Sequence, residues 1–544
     1  MPQNRFLLFI LLILTFFVYQ PGLNKQFLNW DDEIHITQNP QAGSLALSNL
    51  RDIFTQTVNR TYIPLTTLSF AVEHQIFGFN SFVFAVTNVL LHAAVVALLF
   101  FLALKMGLFR GAAFFASLLF AIHPMHVESV AWLTERKDVL YSVFYLLALH
   151  QYWNYLEQGK RQSYFLSIFF ALLSMLSKPM AYSLPLVLLI LDWFYGMRET
   201  VRGPLRPACP PRQAKAAGRG ILPLTGFPHQ LSNKIPFFLI VIPLGLITHL
   251  ANRHVLTVNA DVGRAFLTAV WTFTFYIRKF LWPENISPIY RLPEPISLSN
   301  PENLLAAGIF AALIFCTILF RRNKWLVFAA VFYVASIILL IRFNTASVFT
   351  AVQDRFMYLP SLGVCLLFGY VADDVLESWR KNKIAFRLGV VYISLMFLSL
   401  SWAATRRVET WNNNLTFWNH VIKNNPTIDF AYYNRGKAYE KQGLVPEALS
   451  DYTKAIEINP QFTKPYNNRA ILFQKQRMYT KALDDYQHLV ALDPNSVLVY
   501  YNRGLLYLEL KEYPEALRDF DKAVALNQNF APAHHAKTLV PTVR

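Results

Sequence analysis

The sequence predicts an all-α chain in two parts: a polytopic membrane domain of about eleven helical spans, followed by an α-solenoid of short repeats. Three observations predict it. The 544 residues are 54% hydrophobic and 15% charged with a mean hydropathy of +0.30, too apolar to be covered by water throughout. Apolar runs recur from Phe6 to about Thr405, and past Trp411 the composition turns polar and helical. A period of 34 residues then sets in, carried by Asn434-Arg435-Gly436, Asn468-Arg469-Ala470 and Asn502-Arg503-Gly504. The expected organisation is a membrane domain over 1–407, a connector over 408–426, and three repeats with a C-terminal cap over 427–544.

With Arg5 on the cytoplasmic side, spans fall near 6–20, 82–104, 106–122, 139–155, 162–177, 180–195, 235–250, 302–320, 325–341, 356–373 and 388–405. The first is read as an uncleaved span, since no small-residue cleavage site follows it. Ala265 to Ile277, caught between Arg264 and Arg278-Lys279, is short for a crossing and reads as interfacial or re-entrant. Leaving it out of the count places Arg321, Arg322, Lys324, Arg380, Lys381, Lys383 and Arg387 inside, as the positive-inside bias asks. The same bias puts the basic loop 197–234 in the cytoplasm. The net charge of +17 is therefore topological and does not point to nucleic acid. The first long loop, 21–80, and the repeats then share the extracytoplasmic face. Cys209, Cys316 and Cys365 provide neither a disulfide framework nor zinc spacing.

In the repeats, Ala448, Ala482 and Ala516 and Pro426, Pro460 and Pro494 keep the same period, which is the tetratricopeptide pattern. Small residues let the paired helices approach, and Tyr439, Tyr452, Phe473, Tyr486, Tyr507 and Phe520 fill the seam. Asn434, Asn468 and Asn502 lie in successive first helices, where their amides can line a peptide groove or simply pack the repeat.

Three clusters could carry chemistry. Trp30-Asp31-Asp32-Glu33 stands just where the chain leaves lipid; a carboxylate there can act as general base toward an acceptor hydroxyl, or cap a solvated turn. His123-Pro124-Met125-His126-Val127-Glu128 and Arg136-Lys137-Asp138 lie between the third and fourth spans. Arg136 and Lys137 suit a phosphate, while His123, His126 and Glu128 offer an alternative set of metal ligands. Arg355 and Tyr358 stand at the mouth of the tenth span, at headgroup level. Lys178, Arg60 and Tyr62 are weaker members, and each also fits a membrane anchor.

Taken in order, Trp30-Asp31-Asp32, Tyr62-Ile63-Pro64-Leu65, His123 through Asp138, Ser177-Lys178-Pro179, Arg355 through Ser361 and the repeats resemble the transmembrane and tetratricopeptide-repeat O-mannosyltransferases, glycosyltransferases of the GT-C fold. The resemblance implies an inverting transfer of mannose or another hexose from a polyprenyl-phosphate carrier to an acceptor hydroxyl outside the cytoplasm. It implies an acidic base in the first loop, Asp31 or Asp32 with Asp32 favoured, beside Glu33. The phosphate would sit near Arg136, Lys137 and Arg355, and the repeats would hold a polypeptide or glycan acceptor. A divalent cation is compatible with it. Three repeats make a small groove, and a bacterial inner membrane is expected, or the endoplasmic reticulum in a eukaryote. The rival readings are a non-catalytic scaffold presenting the repeats and a flippase of the lipid-linked sugar; the latter wants ionisable residues at mid-bilayer.

Overall fold

The computed structural model describes residues 2–202, 231–252, 262–340 and 352–541. The chain divides into two compact units, Met1–Asn413 and Asn414–Arg544. Among the described residues the only β pairing is an isolated antiparallel bridge between Val58 and Thr61. Most of the basic loop, including Arg206, Arg212, Lys215, Arg219 and Cys209, lies outside the described residues.

Among the described residues the long apolar segments of the first unit are helical. Gln3–Gly22, Ser81–Met106, Pro179–Met197, Pro301–Leu319 and Lys383–Glu409 are long and apolar enough to cross a membrane; a sixth follows if Arg110–Ile122 and Pro124–Ala131, bent by 52°, form one broken span. The other expected spans are helices that are shorter or more polar, so among the described residues length and composition support five or six crossings where about eleven were expected. Arg161–Ser177 has only 17 residues, and Arg136–Gln158 opens on three charged ones. The segment read as short from Ala265 to Ile277 lies within a 20-residue helix, Val262–Leu281, that runs on through Arg264, Arg278 and Lys279.

Local chemistry sets the helix ends. The Asn80 side chain accepts from the Phe82 N–H to start Ser81–Met106, and Asn382 accepts from Ile384 and Ala385 to start Lys383–Glu409. Arg136–Gln158 stops at Gly159, whose φ of 65° an L side chain rarely adopts, and folds back on Arg161–Ser177. Ser361–Trp379 packs on Arg110–Ile122 through Gly369, where a Cβ would stand 2.8 Å from that of Ala116.

The second unit opens with Asn414–Asn424 and continues as three helix pairs: Asp429–Lys441 with Val445–Ile458, Thr463–Lys475 with Tyr479–Leu492, and Val497–Glu509 with Tyr513–Leu526. Ala448, Ala482 and Ala516 are fully buried, with Tyr452, Tyr486 and Phe520 beside them. The periodic glycines answer these rings: a Cβ at Gly436 or Gly504 would meet Tyr452 or Phe520 at 2.7 Å. Ala531–Thr538 covers the last pair with Ala533 and Ala536. Each pair is stapled by a bidentate bond from arginine to aspartate: Arg435 to Asp451, Arg469 to Asp485 and Arg503 to Asp519, all at 2.7–2.9 Å.

Candidate active site

Past Gly22 the chain loops back through Lys25, whose ammonium donates to the Ala131 carbonyl. Asp32 ends this loop and precedes a single turn of π-helix, Glu33–Thr37. Its side chain is fully buried and saturated by the chain's own donors. Oδ2 accepts from the Leu28 N–H at 2.9 Å; Oδ1 accepts from the Thr134 N–H at 3.0 Å and from the Thr134 hydroxyl. Burial pushes its pKa up to about 6, against the opposing pull of those hydrogen bonds and of Lys25. Asp31 differs in every respect. It is half-buried and, among the described residues, has no hydrogen-bond donor on its carboxylate; it faces Lys137, Arg355 and Glu135 through charge alone. Its pKa is raised by burial, with the cations of Lys137 and Arg355 opposing. Burial is the largest cause of both shifts, with Glu135 adding to that of Asp31.

The segment from His123 to Val139 is entirely buried and folds as short turns, Pro124–His126, Val127–Ala131 and Leu133–Glu135, before Arg136–Gln158 begins. It brings Glu128, Glu135, Lys137 and Asp138 to Lys178 and Arg355, which arrive from distant parts of the chain. Arg355 donates to Glu128, and its Nε lies 3.3 Å from Glu135 Oε1. Lys137 stands 3.0 Å from the same oxygen, and Lys178 bridges Glu135 Oε2 at 3.4 Å and Asp138. The Ser129 hydroxyl completes Asp138 at 3.0 Å. Burial alone would raise the Glu135 pKa, but Arg355, Lys137 and Lys178 outweigh it and hold the group well below the usual carboxylate range. The Arg355 guanidinium lies 5.0 Å over the Trp132 ring, and Trp132 is stacked between Trp30 at 4.6 Å and Trp411 at 5.3 Å. His35 borders the cluster, and burial pushes its pKa down to about 3, so it stays neutral.

Other expected members stand elsewhere. Arg136 turns away from the cluster into an ion pair with Glu73, bonds to Asn88 Oδ1 and the Phe84 carbonyl at 3.0 and 3.1 Å, and the faces of Phe70 and Phe84. His123 accepts from the Met125 N–H and donates to the Phe280 carbonyl; His126 is held by the Phe120 carbonyl and the Ser361 hydroxyl. With Glu128 committed to Arg355, the three do not converge, and among the described residues no trio of His, Cys, Asp or Glu is placed to hold a metal. The Tyr358 hydroxyl lies 2.6 Å from His92 Nδ1 inside the core, and that of Tyr62 donates to the Phe54 carbonyl. Arg60 sits on an exposed tight turn at φ 63°, and Glu33 opens the π-turn. In the repeats, one amide N–H of Asn434 donates to the Phe430 backbone carbonyl, of Asn468 to the Tyr452 hydroxyl, and of Asn502 to Asn467 Oδ1.

The sequence reading passed over Glu135, the hub of the cluster, although it directly precedes Arg136-Lys137-Asp138. It also passed over Lys25 and Thr134, which fix the Asp31–Asp32 loop, and over Glu73 and Asn88, which claim Arg136.

Comparison with known proteins adds to this geometry. The tetratricopeptide repeat family model matches residues 430–462 and 497–530, and a second repeat model matches 478–511. Human protein O-mannosyl-transferase TMTC1 is 26% identical over 440 residues, 74% of this chain and 48% of that protein. A Caenorhabditis elegans protein O-mannosyl-transferase is 27% identical over 82% of this chain and 62% of its own length. The chain thus spans between about half and three fifths of the length of these curated relatives. Among solved structures, the Arabidopsis OM64 TPR domain is 27% identical, with 22% of this chain and 99% of that domain covered and a TM-score of 0.21. Over most of its length, then, this chain is a sequence relative of the transmembrane and tetratricopeptide-repeat O-mannosyltransferases, and it ends in tetratricopeptide repeats.

Proposed function

We propose that the chain is an inverting glycosyltransferase of GT-C type. It moves mannose or another hexose from a polyprenyl-phosphate carrier to an acceptor hydroxyl, of a protein Ser/Thr or a cell-surface glycan, on the extracytoplasmic face of a membrane. The observation that carries this reading is the half-buried Asp31 carboxylate, without a hydrogen-bond donor among the described residues, facing Lys137 and Arg355. The relatives named as protein O-mannosyl-transferases support the reaction class.

The chemistry needs a base for the acceptor and cations for the leaving group. Asp31 takes the proton of the acceptor hydroxyl as that oxygen attacks the anomeric carbon from the side opposite the phosphate. The bond from anomeric carbon to phosphate oxygen breaks, and polyprenyl phosphate departs with its charge near Lys137 and Arg355. One displacement inverts the centre. Between the two aspartates, the choice falls on Asp31, because both oxygens of Asp32 are already taken by Leu28 and Thr134. Asp32 acts as a positioning residue that holds the Asp31 loop against the turn bearing Glu135. The repeats, with Asn434, Asn468 and Asn502 along their first helices, bind the acceptor.

The test is transfer of labelled sugar from a synthetic polyprenyl-phosphate donor by purified wild type, Asp31→Asn and Asp32→Asn. Loss of the base should cut turnover in Asp31→Asn on the order of a hundredfold or more with donor binding retained. Asp31→Asn turning over like wild type would sink the assignment, and a wild type that binds donor without transferring would sink the reaction.

A further inference from the structure

Four carboxylates, Asp31, Glu128, Glu135 and Asp138, meet three cations, Lys137, Lys178 and Arg355, in the buried cluster. The carboxylates are not equivalent. Glu128 receives a hydrogen bond from Arg355, and Asp138 receives them from Lys178 and Ser129. Glu135 touches all three cations at 3.0, 3.3 and 3.4 Å and accepts from Lys178 through Oε2, while its Oε1, like Glu128 Oε2, is buried without an aligned donor among the described residues. Without Glu135, Arg355 would still have Glu128 and Lys178 would still have Asp138. Lys137 alone would lose its carboxylate partner. Of the three ion-paired carboxylates, Glu135 is thus the one the cluster could exchange for another anion.

We infer that Glu135 is a stand-in for the donor's phosphate: it occupies Lys137 and Arg355 until a lipid-linked phosphodiester takes them, and it is displaced as the neutral acid. The inference rests on the glycosyltransferase reading above and adds the means by which the site accepts an anion. The cluster already carries one more carboxylate than cations, so a singly charged phosphodiester would bring two buried charges in excess. One proton from water onto the displaced Glu135 restores the balance. The charged and titratable groups around Glu135 are Arg355 from the mouth of the tenth expected span, Lys178 after Arg161–Ser177, Lys137, Asp138 and Tyr141 on its own side, Asp31 and His35 from the first loop, and Glu128, which shares Arg355 and whose pKa burial pushes up to about 7. Among the described residues Glu135 alone has both exchanged cations, Lys137 and Arg355, within 4 Å, so the proton goes there.

The experiment uses the full chain in phosphatidylcholine nanodiscs with a C-glycosidic polyprenyl phosphonate, singly charged between pH 5.5 and 8, so that the probe does not titrate. Wild-type affinity should tighten about tenfold per unit fall in pH, with about one proton taken up by calorimetry in buffers of different ionisation enthalpy. Glu135→Gln should bind about tenfold tighter than wild type at pH 8, with the slope abolished, while Glu135→Asp keeps it. A Glu135→Gln protein that binds more weakly at every pH, or that retains the slope, would make Glu135 a brace and overturn the inference while leaving the transferase reading intact. Should Glu135→Gln not fold, a wild-type uptake of no protons overturns it equally. Phosphatidylglycerol at equal mole fraction should not displace the probe; full displacement would overturn the identity of the occupant. Absence of any wild-type binding would remove both the inference and the reading under it.

Discussion

The two units of this chain use arginine and carboxylate in opposite ways. In the repeats, Arg435, Arg469 and Arg503 each serve one aspartate, in one bidentate geometry that returns with the repeat, at side-chain exposures of 16–19%. In the first unit, Glu135 is shared by three cations, Arg355 by two carboxylates, and Asp31 has charge around it but, among the described residues, no donor. A charge pair that recurs with the fold's own period belongs to the architecture, since each copy closes one helix pair. A cluster that occurs once, is buried, and leaves one carboxylate without a hydrogen bond costs stability that packing alone does not explain.

The largest expected effect breaks the unique cluster. Arg355→Gln leaves Glu128 buried without its cation and removes one of the three around Glu135, so it should cost about 3–5 kcal/mol. Unfolding of the purified protein in mixed micelles measures it. A loss below about 1 kcal/mol would mean that the cluster is wetter than its burial indicates. In the repeats, Arg469→Gln removes a bidentate bond at the edge of solvent. It should cost about 2 kcal/mol, read by hydrogen exchange over 463–492, and leave the affinity for the lipid-linked donor unchanged. If donor affinity falls as well, the separation between architectural and chemical pairs fails.

How much of this was legible follows from the same contrast. Periodicity made the repeats readable to the residue, because each solvent-free position recurs; Ala448, Ala482 and Ala516 are all buried as expected. The apolar runs became helices, but hydropathy could not say which helices are long enough to span. The candidate site was legible as a neighbourhood and not as contacts. Adjacent residues on a helix diverge by about 100°, so Arg136 and Lys137, side by side in sequence, serve Glu73 and Glu135 respectively. Asp31 and Asp32 are parted in the same way, one toward the cations and one toward Leu28 and Thr134. Glu135 escaped because its importance comes from Lys178 and Arg355, 43 and 220 positions away, which no local pattern announces.

The most gradual expected effect, spread over about two pH units, separates the two aspartates. The folded-state pKa of Asp32, about 6, lies above its ordinary 3.8, so the folded protein keeps the proton over a range where the unfolded chain has lost it. Its contribution to stability is therefore fully present below about pH 4 and is lost as the pH rises through 6, at no more than about 1.4 kcal/mol per pH unit. The comparison is the difference in unfolding free energy between wild type and Asp32→Asn, taken from pH 4 to 6.5, where carboxylates common to both proteins largely cancel. That difference should fall with rising pH and flatten above 6. The asparagine can still accept from Thr134 through its carbonyl oxygen, but it presents an amide to the Leu28 N–H, which adds a pH-independent offset and no slope. A difference that stays flat across the whole range would place an ordinary pKa on Asp32. It would then be a solvated carboxylate as free as Asp31 to take a proton from an acceptor, and the ground for preferring one aspartate over the other would be gone.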